Sequence, residues 1–194
     1  MAEGPWSEIG FEAGRNLVAE SDELSGRFVK ALDGVPANKL PNFQDRRWRY
    51  EFCIFTMFWF WYVANSPKFT RAGATKPLLD AHHRACYRAF ADARLIQLGE
   101  DALRQWEDDV EARFLSYKEA YDATLARINE DPHLEALNIS GRGTVGWLLV
   151  HHLFPGQQPN IKLVMLLNEL GSVKFTGLVR MFTELEQRYA REKK

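Results

Sequence analysis

Cysteine is scarce in this chain: only Cys53 and Cys86 are present, and neither belongs to a CxxC pair. A disulfide framework and the common paired-cysteine zinc and redox motifs are thereby excluded, and two free thiols are expected. Long apolar runs are lacking too. The longest, Phe52 to Ala64, is broken only by Thr56 and falls short of the 18 or so residues that a membrane span needs. Nor does charge of one sign dominate. The 25 Lys+Arg residues balance 26 Asp+Glu, so no overall basic field exists to draw in nucleic acid or anionic lipid. The first residues, MAEGPWSEIGFEAGR, carry no basic segment followed by an apolar one, so no secretory signal is read and a cytoplasmic protein is expected. Period-2 strands with hairpin turns, fixed-spacing repeats and low-complexity linkers are all missing.

What remains is helix. At 194 residues the chain suits a single helical domain, 1–194, whose folding removes roughly 70% of the accessible surface of the unfolded chain. A core of that size needs no metal or cofactor for stability, and none is expected. From Ser7 to Leu32, apolar residues recur at helical spacing, but Gly10, Gly14 and Gly26 weaken the pattern and Ser21-Asp22 offers a break, which predicts one kinked helix or two. Pro36 and Pro41 make 33–44 a loop, with Asn42 a candidate N-cap. Asp45 to Asn65 opens polar and then turns apolar on every side. A helix apolar all round is buried all round. Leu78 to Leu98 is predicted as a third helix ended by Gly99. A fourth opens at Glu100-Asp101 and shows the cleanest seam in the chain, Leu103, Trp106, Val110, Phe114, Tyr117, Tyr121, Leu125 and Ile128. Thr144 to Phe154 reads as a short apolar helix, and Asn160 to about Arg191 as a last helical region broken near Gly171. The fold class expected is all-α, an irregular bundle of five to seven helices around the aromatic-rich helix at about 45–64.

Several motifs invite chemistry. Gly141-Arg142-Gly143-Thr144-Val145-Gly146 is a literal GxGxxG, yet no strand precedes it and no βαβ unit surrounds it, so two of the three reasons for its glycines vanish. A flexible loop leading into a helix is the preferred reading, with Arg142 and Gly143 retained as candidate anion ligands at the helix start. His82-His83 and His151-His152 are adjacent pairs whose side chains point about 100° apart, so neither pair chelates one metal. His82 and Cys86, four residues apart, share a face and begin a site without completing one; a hydrogen-bonded core histidine is preferred over zinc or haem. A di-iron bundle needs two Glu-x-x-His helices. The chain does not supply two, and Asp80-Ala81-His82-His83 is the approach found within an expected helix. Cys53 sits among aromatic residues, where burial makes a thiol inert, and no GxSxG elbow is present.

Arg46, Arg47 and Arg49 interleave with Trp48 and Tyr50, residue types that hold phosphates and stack bases. A solvated helix start is favoured over nucleic-acid contact, but three cations at a helix N-terminus oppose its dipole and call for an anionic partner, internal or external. The aromatic helix is either a strut filling the core, the wall of an apolar pocket, or one half of an interface. The leading expectation is a non-enzymatic module that binds a protein partner or itself. The alternative is a bundle that binds a small hydrophobic or aromatic ligand, with a haem- or metal-dependent enzyme as its extreme form. Phe55, Trp59, Trp61, Tyr62, His82, Cys86, His151 and His152 are the pocket or interface candidates.

Overall fold

The computed structural model describes residues 5–30, 46–66, 75–131, 133, 141–154 and 161–192, and every regular element among them is helical. Six helices follow in order: α1 (Pro5–Lys30), α2 (Arg46–Ala64), α3 (Thr75–Asp92), α4 (Glu100–Glu130), α5 (Gly141–Leu153) and α6 (Ile161–Glu192). The chain is an all-α bundle. The expected proline-containing loop at 33–44 and its Asn42 cap lie outside the described residues. No helix among those described is long and apolar enough to cross a membrane.

The aromatic helix α2 packs against all five of the others. Residues 51–60 are buried without exception, and only Trp61 and Tyr62 near the C-terminal end are half-buried. Successive rings point in different directions because adjacent helical residues diverge by about 100°, and each direction is met by another helix. Phe58 lies 5.2 Å, centroid to centroid, from Tyr117 of α4. Trp59 meets Phe175 of α6 edge-on at 5.7 Å. Phe60 meets His82 of α3 and Phe182 of α6. Phe52 reaches Phe28 of α1. The helix that needs cover on every side is covered by its own chain.

Helix α1 runs unbroken through Ser21-Asp22, contrary to the expected kink or division. Its two early glycines do not weaken it so much as set its distance from α3. A Cβ on Gly10 would stand 2.1 Å from the Leu78 carbonyl oxygen, and one on Gly14 would stand 2.5 Å from that of His82. Glycine is what lets the two backbones lie this close. Gly171 likewise does not break α6: the helix continues through it, and a Cβ there would meet the rings of Phe55 and Trp59 at an ordinary contact distance of 3.4 Å.

The third helix ends six residues earlier than its sequence pattern predicts. Arg94 takes a left-handed conformation (φ 58°), the Leu95 N–H donates to the Phe90 carbonyl at 2.8 Å, and the Arg94 N–H donates to that of Ala91 at 2.9 Å. This is a Schellman termination, and the side chains of Phe90 and Leu95 at its two ends are both buried. An arginine supplies the left-handed residue normally given by glycine, which hides the stop from a sequence reading. Gly99 instead precedes α4, at φ 150°, as its N-cap. The α4 seam holds from Leu103 to Tyr121 and loosens at Leu125, which is exposed. Finally, α5 begins at Gly141, so the GxGxxG residues are its first turns and not a loop before it. Gly146 serves packing: a Cβ there would lie 3.2 Å from the Asn168 nitrogen of α6.

Candidate functional site

The arginines at the start of α2 find their partners inside the chain. Arg46 donates twice to the Leu95 carbonyl, at 2.9 and 2.7 Å, just past the end of α3. Arg47 donates to the His152 carbonyl at 3.1 Å, in the last turn of α5. Arg49 forms a two-pronged pair with Asp22 of α1, at 2.9 and 2.8 Å, and that hydrogen bond raises its pKa against the cost of burial. Cations ill-placed at their own helix N-terminus thus sit where two neighbouring helices expose carbonyl oxygens. Arg142 and Gly143 lie in the first turn of α5.

The pocket candidates separate. Phe55 and Trp59 are fully buried and edge-on to each other at 6.0 Å, while Trp61 and Tyr62 lean on Phe114 and Tyr121 of α4. His151 packs against Trp147 of its own helix at 4.0 Å. His152 faces Tyr117 at 5.9 Å, near a polar cluster that sequence reading missed. There Glu51 of α2, 3% exposed, accepts two hydrogen bonds from Arg113 of α4 at 3.3 and 3.1 Å. Arg113 also reaches Asp109, which accepts a 2.8 Å hydrogen bond from the Tyr50 hydroxyl. Burial and the carboxylate of Asp109 push the Tyr50 phenol up. Burial and the nearby Arg113 charge hold His152 below its ordinary value. The lone signal for this cluster was Glu51 itself, a carboxylate within a helix apolar all round, which demands a cation. Its two carboxylates share one guanidinium and the Tyr50 hydroxyl, so it reads as a structural clamp between α2 and α4.

His82 and Cys86 do come together, the thiol sulfur 3.6 Å from Nε2 and 3.7 Å from Nδ1. Among the described residues, no group of three or more His, Cys, Asp and Glu side chains converges to hold a metal ion. Glu130-Asp131-Pro132-His133 has Glu-x-x-His spacing, but α4 ends at Glu130 and the pair does not share a helix. Burial raises the Cys86 thiol well above its usual range and pushes Cys53 up to about 12, so neither is a nucleophile at neutral pH.

His82 is nonetheless distinctive. It is 4% exposed, its ring lies flat on Phe60 at 3.8 Å with planes 9° apart, and burial lowers its pKa to about 3. Beside it opens a cleft of about 350 Å³ between α1, α2, α3 and α6. Leu17, Leu24, Phe60, Leu178 and Met181 give it apolar walls. Its lining also carries two ion pairs, Glu20 with Lys174 across α1 and α6, and Glu23 with Arg27 along α1, and the Lys174 charge adds to burial in lowering the His82 pKa. Gly177, with nothing within 4 Å of a would-be Cβ, leaves the α6 side open. Of the side chains singled out from sequence, His82 is the one that lines this cleft. Phe60, Lys174 and the α1 leucines were not singled out, because their convergence depends on how three other helices cross α2.

Against known proteins, no family model matches the chain, and neither a curated protein nor a solved structure is similar to it.

Proposed function

We propose that this protein, a single cytoplasmic helical domain, binds a small and largely apolar molecule in the cleft between α1, α2, α3 and α6. The observation that carries the reading is His82: a buried imidazole lining a recess with apolar walls, whose nitrogens, among the described residues, have the Cys86 thiol as their hydrogen-bonding contact at 3.7 and 3.6 Å. Buried polar groups without strong partners are costly in a core and useful in a ligand site. The volume suits a ligand. Small-molecule sites begin at about 300 Å³, and a cavity of about 150 Å³ already holds benzene, so 350 Å³ suits a body of about two fused rings. An interaction module is less well supported, since α2 is enclosed by the other five described helices.

Naphthalene is the probe. Its addition is expected to shift the Met181 ε-methyl NMR signal saturably, and Gly177→Leu, which fills the open side without a backbone clash, is expected to abolish the shift while leaving the fold intact. A Met181 signal indifferent to naphthalene, or a Gly177→Leu variant that binds it as the parent does, would defeat the reading.

A further inference from the structure

Resting on that cleft as a ligand site, we infer that its occupant is a neutral, ring-sized molecule carrying one carbonyl oxygen, and that Lys174 holds this oxygen through its ammonium group. Lys174 joins the cleft wall from α6, and its side chain is only 18% exposed. An ammonium has three N–H donors and no acceptor. Among the described residues, Lys174 gives a hydrogen bond to Glu20 of α1. Two donors remain for a guest.

Two other lining residues locate this head group. Glu20 binds it directly. His82 feels it: burial first, then His83 and then the Lys174 charge keep the imidazole neutral. The ammonium therefore lies on the cleft side of α6, where the α1 and α3 walls both reach its charge. Leu17, Leu24, Phe60 and Leu178 complete the walls and limit the water that competes for its donors. A hydrogen bond from a charged donor is roughly twice as strong as one between neutral groups.

Charge decides what kind of acceptor enters. Lys174 already faces one carboxylate, and Glu23 pairs with Arg27 in the same lining, so the four charges cancel. A ligand carboxylate would crowd Glu20 at a single cation and would lose its hydration against the leucines. A ligand ammonium would meet Lys174 itself. A carbonyl gives up little hydration, accepts from the uncommitted donors and brings no hydrogen of its own that needs a partner. Glu20 then keeps its place. Its contact also orders the lysine in advance, so a guest does not bear the cost of fixing a long, rotamer-rich side chain.

The test uses the intact chain at pH 7 and three probes: 2-acetonaphthone, 2-isopropenylnaphthalene, in which a CH2 group replaces the carbonyl oxygen at nearly the same shape, and 2-naphthoate. Affinities are read from the Met181 methyl signal. The ketone is expected to bind roughly ten-fold more tightly than the hydrocarbon, the worth of a hydrogen bond to a charged group, and 2-naphthoate more weakly than the ketone. The direction is diagnostic, because an apolar recess alone would favour the hydrocarbon. In wild-type protein the carbonyl infrared band of bound 2-acetonaphthone is further expected below its position in hexane, a readout that needs no variant. Lys174→Met removes the cation and leaves Glu20, 43% exposed, to water; it is expected to abolish the preference for the ketone. A hydrocarbon that binds wild type as tightly as the ketone, a band at its hexane position, or a preference that survives Lys174→Met overturns the inference while the cleft stands as an apolar site. Tightest binding by 2-naphthoate overturns the neutrality of the guest. If neither uncharged probe binds, the ligand-site reading itself fails and the inference with it.

Discussion

Replacing Gly10 and Gly26 by alanine, one at a time, separates what a glycine costs a helix from what it does for packing. Both residues lie inside α1, so each substitution gains about 0.8–1.0 kcal/mol of helix propensity. At Gly26 nothing lies within 4 Å of the new Cβ, and the gain stands. At Gly10 the new Cβ meets the Leu78 oxygen at 2.1 Å, the Leu78 carbonyl carbon at 3.0 Å and the His82 nitrogen at 3.2 Å, all of them backbone atoms that cannot swing aside. Helix α1 must retreat from α3 by about 1 Å to restore an ordinary C···O contact of about 3.3 Å. A gap of that size forfeits about a quarter to a half of the dispersion energy at each separated contact. Overpacking of this kind costs about 1–3 kcal/mol and outweighs the propensity gain. Gly10→Ala is therefore expected to be less stable than wild type by about 1 kcal/mol and Gly26→Ala more stable by about 1 kcal/mol. For a chain of this length the two melting temperatures should differ by about 4–8 °C. Thermal unfolding followed by circular dichroism at one pH and concentration measures this. A Gly10→Ala protein that melts at or above the wild type would show that α1 and α3 are not in backbone contact.

Three further outcomes follow from the buried polar groups. Arg113→Leu leaves Glu51 buried without its cation and is expected to cost about 3–5 kcal/mol in urea unfolding, with the Glu51→Leu/Arg113→Leu double variant recovering much of it; a single-variant loss below about 1 kcal/mol would show that Glu51 is not enclosed. His82 has a folded pKa lowered to about 3 from 6.5, so between those values the unfolded chain binds a proton that the native one refuses. Stability must then fall as pH drops from 6.5 toward 3, at up to about 1.4 kcal/mol per pH unit from this group, and His82→Phe should flatten that slope. Both thiols should resist a disulfide reagent in the native protein at pH 8 and react at once in guanidinium; stoichiometric labelling of the native state within seconds would contradict the burial of Cys53 and Cys86.

The first prediction bears on the proposed site as well as on stability. Gly10 and Gly14 lie one turn apart and fix α1 against the stretch of α3 that carries His82, while the cleft takes its leucine wall, Leu17 and Leu24, from the following turns of α1. Ala13 on the same turn of α1 also lines the cleft. Widening the α1–α3 gap should therefore weaken naphthalene binding in Gly14→Ala before it unfolds the chain.

By itself the sequence determined the helical class and the burial of α2, because both follow from local pattern: period 3.6 along α4, and an apolar residue at every azimuth of 52–60. It also determined that the arginines at 46, 47 and 49 would call for a partner, read as an anionic one, since charge and helix polarity are local properties. What it could not determine is any relation set by how helices cross. The left-handed stop at Arg94 was hidden because arginine, unlike glycine, does not advertise that conformation. Gly10 and Gly14 read as weaknesses along one dimension and are contacts in three. The acceptors for the arginines are carbonyls at the ends of α3 and α5 and a carboxylate on α1, between 27 and 105 residues away. The cleft beside His82 is the furthest from local pattern. It exists because α1, α2, α3 and α6 meet at different heights and leave between them a space none of their sequences contains.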